Sequence, residues 1–421
     1  MTISQLFLIS FIIFIFFLIL TSIMASICRR VWNKRRYEKL DLLRELLRPA
    51  LRDSIATGSI DAFTRDTKIP AGSLKWEALE QILLEMCEGV EQKTETLKLF
   101  QALGYVQYYQ KQLSGRSSSI KLSATADKLG KIGDPSAIPF LVQLLQHKES
   151  EVVTVAFRSL CRIGSTEALS GVLTALPALL KGGKVTAKAI QTSLLLFGPW
   201  AGEPFLKYAA HKDDPEVLSV MIETLIAYPV SPEMFQFALS RLSHPNAEVR
   251  AKALKLLARH DMRQASFPYN PQIFQPLLKD PVWYVRLQLA RTIETLRCDQ
   301  YIEMLKKLVL DRQWQVRDAA TASLINTGEE SIDAFLELLE TEDRFAKEGI
   351  SEAVQRTGYK TRLIEWLGGV DLQQKFKALR MMTMMDRAGF PTPMREAIEA
   401  GCIGPELSKE LAEVPQTGGA V

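Results

Sequence analysis

Histidine is the side chain best suited to acid–base or metal chemistry near neutral pH, and this chain of 421 residues has four. Three of them, His147, His211 and His244, occupy the same turn position in different copies of a repeating unit. His147 and His211 are two units apart, too far for their rings to bind one metal ion at about 2 Å. We therefore predict that they are structural turn residues, and we expect no metal and no cofactor.

The sequence contains no motif of a known catalytic chemistry: HExxH, GxSxG and a glycine-rich phosphate loop are all absent. Gly182-Gly183-Lys184 resembles a fragment of a phosphate loop, but it lacks the preceding strand and the other glycines, so we predict an inter-helix turn. Five scattered cysteines without CxxC spacing favour isolated core thiols in a reducing compartment. The sequence thus predicts no catalytic residue and favours a protein that is not an enzyme.

Two tryptophans and two arginines could instead bind a protein. Trp283 and Trp314 each stand two residues before the first valine of a repeated helix, and Arg286 and Arg317 each follow that valine. Equivalent positions in adjacent units lie side by side, and Trp and Arg are enriched at interface hot spots. We therefore consider two roles for the tryptophans: packing over the turn of their own helix pair, or forming a partner-binding edge with the two arginines.

A repeat positions these side chains. Val152, Ala156, Leu160 and Ile163 stand at offsets 0, +4, +8 and +11, which keeps them on one face of a helix. Eight copies of this frame occur at intervals of 30 to 36 residues. An apolar helix precedes most of these copies. Because neither helix of a pair can bury its stripe alone, the pairs must stack. The sequence predicts an all-α fold, a right-handed α-solenoid of helix pairs preceded by one transmembrane helix.

The repeat resembles a known family. The run of residues 133–141, Gly-Asp-Pro-Ser-Ala-Ile-Pro-Phe-Leu, and the forms Asp280-Pro281-x-x-x-Val285-Arg286 and Asp311-x-x-x-x-Val316-Arg317 are similar to HEAT repeats. They are closest to the short bacterial subtype that is also found in phycobilisome lyases. The resemblance covers about residues 119–358 and implies protein–protein binding. His replaces the turn Asp in several units, so the sequence does not predict a regular Asp–Arg ladder.

An apolar run precedes the array. Residues 6–27 carry no charge and are long enough, at 1.5 Å per residue, to span a bilayer of about 30 Å. A cleaved signal peptide would begin with basic residues and have a shorter apolar run, so we favour a retained anchor. The basic residues follow the run, and by the positive-inside rule we expect the N-terminus outside and the remainder in the cytoplasm. We expect the membrane to be a bacterial inner membrane. These membrane-flanking residues are Arg29, Arg30, Lys34, Arg35 and Arg36.

Charge outside this flank is nearly balanced. The chain has a net charge of +4, but residues 29–48 hold eight basic and three acidic side chains, which leaves about −1 for residues 49–421. A nucleic-acid-binding surface needs a basic face, so this balance disfavours nucleic-acid partners, including the role of a DNA-repair glycosylase built on similar repeats.

We divide the chain into a transmembrane anchor (1–28), a basic juxtamembrane segment with a helical N-terminal cap (29–118), the solenoid (119–358), a helical C-terminal cap (359–414) and a disordered tail (415–421). The function predicted is that of a non-enzymatic, membrane-anchored binding scaffold or assembly factor for a membrane complex. Its partners would be proteins at the membrane and the bilayer itself, through residues 6–27. The alternative is a HEAT-like lyase or chaperone-type helper that acts on a cofactor-bearing protein.

Overall fold

The computed structural model describes residues 3–57, 63, 69–87, 93–115, 117–259, 271–296 and 301–404. Within these ranges the chain forms 21 α-helices and no strand, which confirms the predicted all-α class. The predicted tail at 415–421 lies outside the described residues. The chain divides into two compact units, Met1–Gly198 and Pro199–Val421, and the division falls inside the predicted array.

The first unit begins with a single long helix, α1, at Ile3–Thr57. Its apolar part is exposed, and no residue of its most apolar 18-residue window is buried. Its C-terminal part buries Leu40, Leu47 and Leu51 against helix α2, Leu74–Cys87. One helix therefore connects the apolar run to the packed core without a break.

The rest of the first unit is a series of paired helices. Helix α5 packs along α7, while α6 and α8 lie against α7, so the second helices of adjacent pairs are in contact. The helices are α3 Lys93–Ala102, α4 Tyr105–Ser114, α5 Ser119–Ile132, α6 Ile138–Leu144, α7 Ser150–Ile163, α8 Thr166–Lys181 and α9 Ala187–Leu194.

The second unit repeats the same arrangement. Its second helices, α11, α13, α14, α16 and α18, pack one against the next, and each is covered by the helix that precedes it. The first helix of one pair is a 3₁₀ helix, Pro271–Lys279. The α-helices are α10 Gly202–Ala210, α11 Pro215–Leu225, α12 Pro232–Arg241, α13 Ala247–Leu257, α14 Trp283–Leu296, α15 Ile302–Val309, α16 Trp314–Thr327, α17 Ile332–Glu340, α18 Arg344–Arg356, α19 Tyr359–Gly368, α20 Leu372–Arg387 and α21 Thr392–Glu399.

The repeated apolar frame forms the core of each unit. In α14 the frame residues Val285, Leu289 and Ile293 are at most 1% exposed, and the corresponding residues of α7 and α16 are fully buried. Steps of four, four and three residues return to the same side of a helix, so these side chains face the neighbouring helices together. The frame read from the sequence is therefore the buried face of the stacked helices.

Glycine follows the repeated frame at Gly164, Gly328 and Gly358, but it does not end every helix in the same way. Gly164 follows α7 in the left-handed conformation, at φ 72°, where a side chain would be strained. Gly358 stands at the same point of its repeat but does not act in this way, since its φ is −66°. Helix α18 ends instead at Arg356 because Thr357 adopts an extended conformation.

The C-terminal helices depart from the repeat. Helix α20 packs against α19 and also against α17, the first helix of the preceding pair. Lys377 of α20 pairs with Asp333 of α17 at 2.8 Å, and Arg380 pairs with Glu340. Met381, Met382 and Met385 of α20 are buried, so this helix covers the end of the stack.

Candidate partner-binding edge

Both predicted tryptophans lie at the start of a second helix. Trp283 is the first residue of α14 and Trp314 the first residue of α16, with 38% and 66% of their surfaces exposed. Val285 and Val316, two residues later, are fully buried. The valine side chains face the core, whereas the indoles lie at the exposed turn, where another protein could contact them.

A third aromatic residue occupies the next unit. Phe345 is the second residue of α18 and is 67% exposed. The sequence search missed it because it stands one residue before the frame residue Ala346, whereas the tryptophans stand two before theirs. A search for exposed aromatics at either position would have found it. We call Trp283, Trp314 and Phe345 together the aromatic edge.

The helices that carry the aromatic edge are direct neighbours. Helix α14 packs against α16, and α16 packs against α18. Axes of packed helices are about 8–10 Å apart, so residues at the same point of successive helices recur at about that interval. The three aromatic residues therefore stand at the starts of three helices that pack in succession, one from each repeat.

Arg286, predicted to lie near the tryptophans as part of the surface, is buried instead. Its side chain is 4% exposed and donates from Nε and Nη2 to the two carboxylate oxygens of Asp311, at 2.6 and 2.8 Å. Its Nη1 donates to the carbonyl oxygen of Asp280 at 2.6 Å. The bond to Asp311 raises the pKa of Arg286, which stays charged. Arg286 thus joins the turns of two repeats beneath the aromatic edge.

Arginines at the equivalent position also pair with the turn aspartate of the next unit, Arg250 through two hydrogen bonds and Arg317 through an ion pair. Arg250 donates from Nε and Nη2 to Asp280 at 2.7 and 2.8 Å, and from Nη1 to the His244 carbonyl oxygen at 2.8 Å. Arg317 lies 3.7 Å from Asp343, and its guanidinium is 5.1 Å from the ring centre of Phe345. Three Arg–Asp pairs therefore join four successive units, and we call them the ladder.

The ladder carries buried charge. Burial alone would raise the pKa of Asp311, but its hydrogen bonds with Arg286 and with the Gln313 N–H hold that pKa below its usual value. Bidentate pairs between arginine and carboxylate are the stronger kind of charged hydrogen bond. The ladder fixes the turns from which Trp283 and Trp314 project.

Histidine takes the place of the turn aspartate where the ladder is absent. His244 Nδ1 accepts from the Asn246 N–H at 3.1 Å, as the Asp280 carboxylate accepts from the Val282 N–H at 2.9 Å. The preceding unit has Leu218, which is fully buried, at the position of the ladder arginine. The preceding unit therefore has no arginine that could pair with the side chain at position 244.

The other two turn histidines, His147 and His211, also contact the backbone of their own turns. His147 Nδ1 accepts from the Glu149 N–H at 3.2 Å. His211 differs, since its Nδ1 lies 2.7 Å from the Lys207 carbonyl oxygen. Among the described residues no three His, Cys, Asp or Glu side chains are grouped to hold a metal ion.

The remaining chemical candidates are structural as well. Gly182 and Gly183 form the turn after α8, and Lys184 donates to the His147 carbonyl oxygen at 2.9 Å. Cys161 is fully buried, and burial raises the pKa of its thiol well above the usual value, which makes it unreactive.

The basic membrane-flanking residues lie on the middle of α1. Arg29, Arg30, Lys34 and Arg35 are exposed and form no ion pair within the described part of the chain. Arg36 differs from them, because it pairs with Glu77 of α2. Four charges thus remain free on the helix, between the apolar run and the packed core.

Comparison with known protein families and structures identifies the type of repeat in this chain. The profile of HEAT repeats matches residues 110–181 and 270–355. No curated protein matches the sequence. An engineered protein of known structure is 18% identical, with 78% of this chain and 98% of that chain aligned at a TM-score of 0.33.

Two crystal structures of Kap121p, one free and one bound to RanGTP, are each 13% identical to this chain. The alignments cover 86% and 79% of this chain, and 46% and 43% of Kap121p, at TM-scores of 0.42 and 0.41. This chain therefore spans less than half the length of Kap121p. The HEAT profile and the stacked helix pairs agree over the same residues, and the chain carries HEAT repeats at 110–181 and 270–355.

Proposed function

We propose that this protein is a membrane-anchored scaffold that binds a protein partner, without catalysis, beside a membrane complex. One observation carries the proposal: Trp283, Trp314 and Phe345 are exposed at the starts of the second helices of three successive HEAT repeats. Large aromatic side chains supply much of the binding energy of protein interfaces when a partner covers them. A stack of helix pairs presents these side chains on a rigid base, since the ladder holds its turns.

The long helix α1 supports the anchor. Its apolar window has a mean hydropathy of 2.8 and is not buried by any other part of the described chain. Leaving so many Phe, Ile and Leu side chains in water is unfavourable by about 25 cal/mol per Å² of apolar surface. A bilayer around residues 6–27 removes that surface from water.

The basic flank supports an orientation. Arg29, Arg30, Lys34 and Arg35 follow the apolar run directly and are free of ion pairs in the described structure. Basic residues remain on the cytoplasmic side of a membrane span, which puts the N-terminus outside and the HEAT repeats in the cytoplasm, in our proposal beneath a bacterial inner membrane.

The same helix would hold the repeats near the membrane at a set distance. Leu40 is the first buried residue of α1 after the apolar run, twelve residues after Cys28, and twelve residues of helix rise about 18 Å. Arg48 pairs with Glu85 of α2 at 2.7 Å, and Arg36 pairs with Glu77. A tethered scaffold raises the local concentration of its partner at the membrane.

The test is site-specific cross-linking in membranes. A photoreactive phenylalanine analogue replaces Trp314, and a matched protein carries it at Val230, which is 46% exposed in the turn before α12. We expect a stoichiometric cross-link to one membrane-associated protein from position 314, and none from position 230. Equal labelling from both positions, or no cross-link from 314, would remove the binding edge from the proposal.

A further inference from the structure

We infer that four free basic side chains of helix α1 bind the headgroups of acidic phospholipids. The four are Arg29, Arg30, Lys34 and Arg35, and we call them the basic collar. The inference rests on the membrane anchor of the proposed function and adds the class of lipid that gathers around the anchor. Lipids with a net negative headgroup, such as phosphatidylglycerol, should be preferred there to zwitterionic phosphatidylcholine.

The collar carries positive charge that the described part of the chain does not neutralise. Its four side chains are exposed and form no ion pair within those residues. The first acidic residue of the sequence is Glu38, so no carboxylate lies within the collar. Farther along the same helix the situation differs, since Arg36 pairs with Glu77 and Arg48 with Glu85 of α2. The collar therefore has room for anions from outside the chain, whereas α2 supplies them to Arg36 and Arg48.

The collar begins at the depth of the lipid headgroups. Helix α1 is a single helix from Ile3 to Thr57, so each residue beyond Ile27, where the apolar run ends, adds about 1.5 Å along its axis. Arg29 and Arg30 thus stand about 3 and 4.5 Å beyond Ile27. The headgroup layer on each side of the hydrocarbon core is about 5–7 Å thick, so both residues lie within it.

The side chains of Lys34 and Arg35 point back towards the same layer. These residues stand about 10 and 12 Å beyond Ile27. Side chains of an α-helix lean towards its N-terminus, which here is the direction of the apolar run. Long lysine and arginine side chains near the end of a membrane helix extend to the interface in this way. All four charges of the collar are therefore within reach of lipid phosphates.

The collar surrounds the helix, which favours a lipid layer over a docked protein. Successive residues of an α-helix are about 100° apart, so Arg30 and Lys34 point about 100° and 140° away from Arg29. Arg35 points about 240° away, and Trp32, with 64% of its surface exposed, lies in the remaining gap at about 300°. Tryptophan is enriched at membrane interfaces. A folded partner on one side of α1 would leave part of the collar uncovered, whereas headgroups surround a membrane helix on all sides.

Lys39 marks the height at which the effect should end. It is exposed and has no ion pair in the described structure, but it stands about 18 Å beyond Ile27. The Debye length at physiological salt is about 8 Å, so a charge at that height is largely screened from the headgroups. Arg52, also exposed and without an ion pair there, lies farther still along α1. These two residues are matched controls for the collar, since they are free cations on the same helix.

The test uses the purified full chain in phosphatidylcholine vesicles that contain a trace of spin-labelled lipid, either phosphatidylglycerol or phosphatidylcholine. Electron spin resonance distinguishes the lipid that the protein restricts from the bulk lipid, and the ratio of the two association constants is the selectivity. We expect a selectivity of about threefold or more for phosphatidylglycerol at low salt, falling towards one at about 1 M salt. Both leaflets have the same composition, so the orientation of the chain does not affect the measurement.

Protein variants locate the lipid contacts. With all four collar residues replaced by Gln, the selectivity should fall to about one. The double variant Arg29→Gln/Arg30→Gln removes half of the charge and should lower the selectivity by about 1.7-fold. The control Lys39→Gln/Arg52→Gln removes the same charge from the same helix and should leave it unchanged. Circular dichroism of each variant shows that it is folded.

The outcomes separate this inference from the function on which it rests. Equal association of the two lipids at low salt, or equal losses in the collar and control variants, overturns the inference. If the chain is anchored by residues 1–28 but shows no selectivity, the anchor stands and the acidic lipid is wrong. If the full chain does not insert into vesicles, both are wrong. A photoreactive side chain in place of Lys34 that labels a protein and not lipid in native membranes would assign the collar to an acidic protein segment, which also overturns the inference.

Discussion

Arg286 donates two parallel hydrogen bonds to the carboxylate of Asp311, and both side chains are at least nine-tenths buried. The pair joins the second helix of one HEAT repeat to the turn of the next. Arg286 also donates to the Asp280 carbonyl oxygen, so one guanidinium holds both the Asp280 turn and the Asp311 turn. The relationship explains why an arginine beside an exposed tryptophan is itself out of reach of a partner.

Removing Arg286 should cost stability. We expect Arg286→Ala to lower the free energy of unfolding by about 3–5 kcal/mol, because it leaves the buried Asp311 carboxylate unpaired. Arg344→Ala is the control, since Arg344 is exposed and its pair with Glu348 should contribute less than about 1 kcal/mol. Urea unfolding followed by circular dichroism measures both variants, and equal midpoints would contradict a structural ladder.

The Arg286–Asp311 pair should also respond to pH. The pKa of Asp311 is lowered in the folded protein, so its contribution is fully present above the unfolded value of about 3.9. It is lost as the pH falls through the lower, folded pKa. We therefore expect Asp311→Asn to be clearly less stable than the parent at pH 7, and this difference to shrink below about pH 4. A difference that is the same at pH 7 and pH 3 would show that the charge of Asp311 has no such role.

His244 should tolerate aspartate but not leucine. Its Nδ1 accepts the Asn246 N–H, and an aspartate at position 244 could accept the same hydrogen. We expect His244→Asp to leave thermal stability almost unchanged and His244→Leu to lose about 1 kcal/mol, the value of one hydrogen bond. Thermal melts of both variants test this, and similar losses would mean that the ring itself, and not its acceptor nitrogen, is needed.

Replacing Gly130 with alanine should lower the stability of the protein, although alanine is the better helix former. Alanine is favoured over glycine in a helix by about 1 kcal/mol, but a Cβ at position 130 would lie 2.6 Å from the Ser159 Cβ of helix α7. We expect Gly130→Ala to destabilise the protein, because helix α5 must move away from α7. Gly349→Ala is the matched control, since a Cβ there meets no atom within 4 Å and should stabilise α18. Denaturation midpoints that shift in the same direction for both variants would refute this close packing.

Deleting residues 1–28 should release the protein from membranes. The deletion removes the apolar run. Membrane binding through the four free basic residues alone should be lost in a high-salt wash. Fractionation of the deleted and full-length chains measures this, and mass spectrometry of the full-length chain tests for an intact N-terminus. Membrane retention of the deleted chain, or a cleaved N-terminus, would contradict the anchor.

The periodic part of the fold was predictable because helix periodicity is a local property. Val285, Leu289 and Ile293 repeat every three or four residues, and each HEAT unit presents the same pattern, so the buried face could be identified from the sequence. The turn role of His244 and the helix-start positions of Trp283 and Trp314 followed from that frame.

The sequence by itself thus determined the helix pairs, their repeat and the apolar run, since each depends on neighbours within a few turns of helix. Only the tertiary structure decided which charges meet, because the partners in the ladder are separated by varying intervals, 30 residues for Arg250 and 25 for Arg286. It also decided that Arg286 is buried, that Phe345 joins the tryptophans, and that α1 runs unbroken into the core. These features depend on distances between side chains of different helices, and no local pattern encodes those distances.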